Sequence, residues 1–367
     1  MRKFILIPIL FLFQYSFTQG LEWLDYTTNN ESEIIADMVV DESGNIIKLI
    51  QSNPFNASSP GSPGGYSLRK IDDDSVEQWT ISLDAFGISR AVSIDNDSSG
   101  NIFILSFQGV LKLSPEGEFI VLSTITCNPF SSTCSFLSYP QQIMVDNDDN
   151  ILFTLRPLGG SGNIDIDPSD NIEYLPGAGF RLIKWSNSLD NLIWFTNILG
   201  SQTQFEIFDG GLELMIKAMS FDIDSNNNIY IASAYGSGIV LSKCSYDGNI
   251  LIYHQIIGYG NNHIGDISML SDTEFILGGN FVGDIDVNPI EGNQPEILSS
   301  EYELMDESGQ NVQNSTSFLV KYDIDFNVKW KKKIDGYKID SIEDIETHNG
   351  NIYVLGMSEK RWGENIS

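Results

Sequence analysis

One phrase recurs along this chain: an apolar stretch, an Asp, a few turn residues, then Asn-Ile and a second apolar stretch. It reads MVVDESGNIIKLI from Met38, VSIDNDSSGNIFIL from Val92, IMVDNDDNILFTL from Ile143 and SFDIDSNNNIYIAS from Ser220. It returns in degenerate form as ISMLSDTEFILGG from Ile267 and as DIETHNGNIYVLG from Asp344. The apolar anchors Ile46, Ile102, Ile151, Ile229, Phe275 and Ile352 are spaced by 56, 49, 78, 46 and 77 residues. That series is a unit of roughly fifty residues carrying occasional long insertions, and a fixed period of this size signals a repeat architecture.

Each unit has a second half. An apolar strand carrying Lys70, Lys112, Lys184, Lys243 or Lys321 leads into a short turn. A strand follows whose marker is Trp79, Val121, Trp194, Tyr253 or Trp330. Asp, Asn, Gly and Ser between the strands supply turn geometry. The strands are short, β-branched and aromatic, and no segment beyond residue 20 has a helical period. Four strands, a to d, in two hairpins cannot bury both faces alone. Radial stacking of such sheets does bury them, which predicts an all-β fold, a β-propeller of four-stranded antiparallel blades, over a sandwich or a solenoid.

The repeats resemble those of secreted Bacteroidetes propellers of the SBBP (seven-bladed β-propeller) repeat type. The resemblance is carried by GGNFVGDIDVNP from Gly278 with SFLVKYDIDFNVKWKKKI from Ser317. It is carried again by GGSGNIDIDPSDN from Gly159 with GFRLIKWSNSLDNLIWF from Gly179. It covers residues 34–357, strongly in these two repeats and loosely elsewhere. What it implies is a fold, not a chemistry.

Five units are complete, at about 34–83, 88–122, 140–196, 217–257 and 264–334, and a partial sixth spans about 339–357. The segment 21–33, with Trp23 in the place of Trp330, reads as a strand d that closes the last blade. The sixth unit then lacks strand c. Unpaired edges are normally avoided, so the sequence reads as truncated, with a six-bladed ring carrying one defective blade as the alternative.

Residues 1–20 read as a signal peptide: Arg2 and Lys3, an uncharged apolar run from Phe4 to Phe13, then small and polar residues. Export to the cell surface, the medium or the periplasm follows, without membrane insertion. With 20 Lys and Arg against 50 Asp and Glu, the net charge of −30 repels nucleic acid and anionic lipid. In an oxidising compartment Cys127 and Cys134 are expected to form a local disulfide, against two free thiols, and Cys244 to be buried alone.

No reaction can be read from the chain. His254, His263 and His348 are scattered, and no nucleophile elbow is present. No catalytic residue is therefore assigned, which favours a binding or structural module over the alternative, a secreted polysaccharide hydrolase or lyase. No cofactor is required. Calcium is the one ion the acidic stretches could take, through Asp165 and Asp167 in one insertion and Asp284 and Asp286 in another. The same alternation also fits a short strand with one polar face. The long b–c and d–a insertions should gather on one end of the sheets. They carry Tyr174, Phe205, Phe208 and Asp209, aromatic platforms beside a carboxylate that suit a glycan or extracellular polymer.

Overall fold

The computed structural model describes residues 33–52, 65–72, 74, 76–127, 138–157, 164–175, 179–198, 205–208, 212–215, 219–235, 238–258, 263–300, 304–305, 311–312, 316–334, 340–348 and 350–358. Among these there is no α-helix, only a 3₁₀ turn at Leu83–Phe86. The first sheet holds β1 (Glu33–Val40), β2 (Ile46–Ser52), β3 (Tyr66–Ile71) and β4 (Glu77–Ser82). The second holds β5 (Ala91–Asn96), β6 (Ile102–Ser106), β7 (Gly109–Leu113) and β8 (Phe119–Thr124). The short β9 (Thr126–Cys127) follows.

The third sheet pairs β10 (Ser138–Val145), β11 (Ile151–Pro157), β13 (Phe180–Trp185) and β14 (Leu192–Ile198), with β12 (Ile164–Asp165) inserted. A hairpin of β15 (Phe205–Phe208) and β16 (Leu212–Met215) comes next. The fourth sheet runs β17 (Met219–Ile223), β18 (Ile229–Tyr235), β19 (Gly238–Cys244) and β20 (Ile250–Gly258). The fifth begins with β21 (His263–Ser271) and β22 (Glu274–Phe281). Its insertion holds β23 (Asp284–Asp286), β24 (Ile297–Ser299), β25 (Leu304–Met305) and β26 (Asn311–Val312), before β27 (Thr316–Asp323) and β28 (Val328–Ile334). A two-stranded sixth sheet pairs β29 (Asp340–His348) with β30 (Asn351–Ser358). The strands pair antiparallel in sequence order, and the first strands of successive sheets lie against one another. This is an all-β arrangement of antiparallel four-stranded sheets resembling the blades of a β-propeller.

The recurrent Asp-Asn phrase builds the a–b turns. Asp41 Oδ1 accepts the N–H of Ser43 and of Asn45, each at 2.9 Å, and Asn45 Nδ2 donates back to Asp41 Oδ2 at 2.8 Å. Asp97 with Asn101 and Asp224 with Asn228 repeat the pattern. The residue before the Asn takes positive φ, which is why Gly stands at 44 and 100 and short polar residues at Asp149 and Asn227.

Five apolar cores lie between consecutive sheets. Ile47, Leu49 and Leu68 of the first sheet meet Ile94, Ile104 and Leu111 of the second. Phe103 and Leu105 then meet Ile143, Phe153 and Ile183, and Leu152 and Leu182 meet Phe221 and Ile231. Tyr230 and Leu241 meet Phe275 and Val320, and Ile276 and Leu319 meet Ile342 and Ile345. The b strands β6, β11, β18 and β22 thus each serve two cores, one per face, because side chains alternate across a strand. That double burial is why β6, β11 and β18 read as continuous apolar runs.

The outer halves of these junctions are keyed by residue size. A Cβ added to Gly248, in the c–d turn of the fourth sheet, would fall 2.8 Å from Trp194 Cε3 of the third, and one on Gly117 would clash with Ile81 of the first while touching Trp79 at an ordinary 3.8 Å. Where strand d instead carries an aliphatic residue, the next turn fills the space. Val121 packs with the cluster containing Leu189, and Ile252 with the cluster containing Phe326. Gly117, Leu189, Gly248 and Phe326 are structural equivalents, each closing its turn onto Ser114, Ser186, Ser245 or Asp323, and all four have positive φ. Tyr253 is not the strand-d marker. It pairs opposite Ser242 and is 61% exposed, while Ile252 pairs opposite Lys243. The marker lies nine residues after its Lys wherever the c–d turn is short, and ten only at Trp194, where the turn 186–191 has one residue more. The recurrent lysines cross the same junctions. Lys70 Nζ donates to Pro115 O at 3.3 Å, Lys112 Nζ to Asn187 O at 3.2 Å, and Lys184 Nζ lies 3.7 Å from the Tyr246 ring centre. Each also pairs with the turn Asp of its own sheet, Asp41, Asp97 or Asp146.

Candidate functional site

Two regions concentrate polar chemistry: the row of first strands, and the insertions at the opposite end of the sheets from the a–b turns.

Along the first strands, a polar side chain of one sheet accepts a backbone N–H from the next. Asp37 Oδ2 accepts from Ile94 at 2.8 Å, Ser93 Oγ from Ile143 at 3.2 Å, and Gln142 Oε1 from Phe221 at 2.9 Å. Asp266 Oδ2 accepts from Ile345 at 3.1 Å, and Ser220 Oγ donates to Asp266 Oδ1. A second tier lies two residues further on: Asp95 Oδ2 accepts from Val145 at 2.7 Å and Asp222 Oδ2 from Met269 at 2.6 Å. The register is the same at every step, because the donor follows the equivalent residue of the next strand by one. Bulges in β1, β5, β10, β21 and β29 set it.

This row gathers acids. Burial pushes Asp95 up to about 7, against the pull of the Val145 and Asn96 N–H groups, with the charges of Asp37 and Asp222 adding to the rise. Burial likewise takes Asp222 to about 6, with Asp266 contributing. Glu346, whose side chain is solvent-exposed, is pushed in the same direction by the crowding around it and by the charges of Asp344, Asp266, Asp222 and Asp37. A residue of the sixth sheet is thus within electrostatic reach of one of the first, and mutual repulsion and burial favour the protonated form of Asp95, Asp222 and Glu346. Sequence reading misses it, because the acceptors are Asp, Ser or Gln in turn and their partners lie about fifty to eighty residues away.

The insertions are built as clasps. In the third sheet's insertion β12 pairs with β9, and in the fifth's β23 pairs with the end of β20, so each reaches back to the preceding sheet. Ile164, Ile166 and Leu175 are buried in one clasp, and Ile285, Val287 and Leu298 in the other. Trp185 Nε1 donates to Ile166 O at 2.8 Å, and Tyr322 Oη donates to the equivalent Val287 O at 2.6 Å. The DID elements thus belong to hairpins anchored beneath strand c.

Asp165 and Asp286 occupy equivalent places in those hairpins. Asp165 Oδ1 accepts from the N–H of Asp167 at 3.1 Å and of Glu173 at 2.9 Å. Asp286 Oδ1 accepts from Asn288 at 3.0 Å and Glu296 at 2.8 Å. Asp167 Oδ1 accepts from Ser169 at 2.9 Å, and Asp284 is exposed opposite Ser299. The two acidic pairs sit in separate hairpins. Among the described residues no group of three or more His, Cys, Asp or Glu side chains is arranged to hold a metal ion. Tyr174 is half-buried and bridges Asp165 across the hairpin. Phe205 and Phe208 lie on β15, opposite Met215 and Leu212. Asp209, Cys134, the signal segment 1–20 and the strand around Trp23 lie outside the described residues. Cys127 ends β9, where it pairs opposite Ile164. Cys244 is a buried free thiol, pushed up to about 12 by burial. His254 packs edge-on to Phe326 with its ring 5.4 Å away, and burial lowers its pKa.

Sheets joined edge-in along their first strands define the class as propeller-like. No protein-family model matches the chain, and no curated protein matches it. Among solved structures it is similar to the Dos1 propeller, with 8% identity and a TM-score of 0.49, covering 88% of this chain and 75% of that one. It is similar to the extracellular domain of a hybrid two-component system protein of B. thetaiotaomicron, with 13% identity and a TM-score of 0.41. That match covers 88% of this chain but only 38% of the other. The extracellular domain of a one-component system protein of the same organism gives 11% identity, a TM-score of 0.37 and coverages of 87% and 37%. Among the described residues no helix is long and apolar enough to cross a membrane.

Proposed function

We propose that this chain is an exported binding or structural module of the SBBP repeat type, which takes a glycan or other extracellular polymer on the insertion-bearing end of its sheets. One observation supports the reading. The a–b and c–d connections are short turns closed by their own Asp or Ser, as at 41–45, 97–101, 114–118 and 245–249. The added strands β9, β12, β15, β16 and β23 to β26 all fall in b–c and d–a connections. In an antiparallel sheet followed in order these belong to one end, and insertions gathered on one end of a repeat array serve as a binding face. On this reading Tyr174, Phe205, Phe208 and Asp209, all in those connections in the sequence, would contact the ligand, with Asp165, Asp167, Asp284 and Asp286 as the acids through which calcium would bridge a polymer.

The test is an array of glycans and matrix polymers probed with the exported protein, with and without calcium. Binding should be lost when Phe205 and Phe208 are both replaced by Ala, with little change in melting temperature. Binding that survives this change and is lost on altering the 97–101 and 114–118 turns would overturn the proposal. Cleavage of the bound polymer would favour the secreted hydrolase or lyase.

A further inference from the structure

On the insertion-bearing end, the a–b hairpins of the second, third and fifth sheets close on equivalent rungs. The partners of the strand-c lysines fix the equivalence: Phe103 faces Lys112, Leu152 faces Lys184 and Ile276 faces Lys321. The same count along strand b from each partner reaches Phe107, Arg156 and Asn280. Across strand a these stand opposite Arg90, Tyr139 and His263. All three rungs therefore carry a base. Arg181 on β13 stands beside Arg156, opposite Leu155, and its Nη1 donates to Phe180 O at 3.0 Å. Of the four arginines among the described residues only Arg69 lies elsewhere. The strand-c lysines Lys70, Lys112 and Lys184 are instead paired to turn acids at the opposite end. Arg90 and Arg156 are half-buried, and each lies over an aromatic ring, Arg90 at 5.4 Å from the centre of Phe107 and Arg156 at 5.7 Å from that of Phe180. A guanidinium stacked on a ring keeps its planar edge for an oxyanion.

We propose that, on the reading of this end as a glycan-binding face, the glycan is an acidic one, whose carboxylate or sulfate groups are taken by Arg90 and Arg156. Charge carries the inference. A chain of net charge −30 repels a polyanion over most of its surface, so bases gathered on one rung mark the place where an anion is welcome. Uronate carboxylates and sulfate esters both match the guanidinium fork, which binds two oxygens at once.

The test compares polygalacturonate, dextran sulfate and uncharged dextran as ligands of the full chain, each with calcium and with EDTA. In EDTA, where no calcium bridge contributes, at least one polyanion should bind about tenfold or more tighter than dextran, and more weakly as ionic strength rises. Which polyanion does so tells carboxylate from sulfate. Arg90→Gln combined with Arg156→Gln should abolish that preference and leave any binding of dextran as it was. Arg156→Lys keeps the charge but loses the fork, and should cost about threefold in affinity for the polyanion. The proposal is overturned if dextran binds as tightly as the polyanions, if a polyanion binds only with calcium, or if its binding is insensitive to salt or unchanged in the arginine variants. Binding of dextran alone, lost when Phe205 and Phe208 are replaced by Ala, would overturn the acidic specificity and leave the glycan-binding face standing. Binding of no polymer in either condition would overturn both.

Discussion

Replacing Asp95 by asparagine tests whether the first strands carry a shared acid cluster. In the fold Asp95 titrates at about 7 because it is enclosed beside Asp37 and Asp222; unfolded, it returns to its ordinary 3.8. Between those values the folded state holds the proton more tightly than the unfolded chain, so stability must fall as pH rises through that window. For one such group the loss from pH 5 to pH 8 is about 2.5 kcal/mol, and for Asp222, at about 6, about 1.5 kcal/mol. The amide introduced by Asp95→Asn cannot ionise, yet its carbonyl still accepts the Val145 N–H. The gain in stability of Asp95→Asn over the parent should therefore grow by about 2.5 kcal/mol between pH 5 and pH 8. Urea unfolding followed by tryptophan fluorescence at pH 5, 6.5 and 8, at fixed ionic strength, measures this. Below pH 4 the trend reverses. Asp41, Asp97 and Asp323 are lowered because hydrogen bonds from Lys70, Asn45, Asn101, Asn187 and Lys329 outweigh their burial. Their contribution is present above the unfolded value and is lost as pH falls through the lowered one. A parent protein equally stable at pH 5 and pH 8, or an Asp95→Asn slope parallel to the parent's, would refute the cluster.

Other outcomes follow from single contacts. Tyr322→Phe removes a buried O–H donor to Val287 O and should cost about 1–2 kcal/mol in urea unfolding, with Trp185→Phe costing a similar amount at Ile166 O; no loss in either would mean that the clasps are not anchored there. Asp286→Ala, which strips two N–H groups of their acceptor, should destabilise by about 1–3 kcal/mol, and Asp286→Asn by much less, whether or not EDTA is present. Thiol titration of the unfolded, non-reduced exported protein should find one reactive cysteine, Cys244; three would refute the Cys127–Cys134 bridge.

The parts legible in the sequence are those written locally. The Asp-Asn turns can be read because cap and acceptor lie four residues apart, and the strand-c lysines because they recur beside turns. Trp79, Trp194 and Trp330 are visible, but their partners are not, since Gly117 and Gly248 belong to the following repeat. The marker Tyr253 is misplaced because spacing alone cannot tell a five-residue turn from a six-residue one. The acceptor ladder is hidden for a further reason. Asp37, Ser93, Gln142, Ser220 and Asp266 share a hydrogen-bonding role without sharing a residue type, and the bulges that align them leave no sequence period. The DIDVN element reads as a polar strand face or a calcium stretch; its alternation belongs to a hairpin whose Ile285 and Val287 are buried while Asp286 closes the loop.

Successive sheets are keyed to one another by complementary side chains on strand d and the following turn. A double-mutant cycle at Trp194 and Gly248 tests it directly. Trp194→Val alone should leave a cavity costing about 2–4 kcal/mol, and Gly248→Leu alone should clash with the indole and cost about 1–3 kcal/mol. Together they recreate the Val121–Leu189 pair of the preceding junction, so the double variant should be at least about 2 kcal/mol more stable than the sum of the single changes. Additive losses would contradict the account.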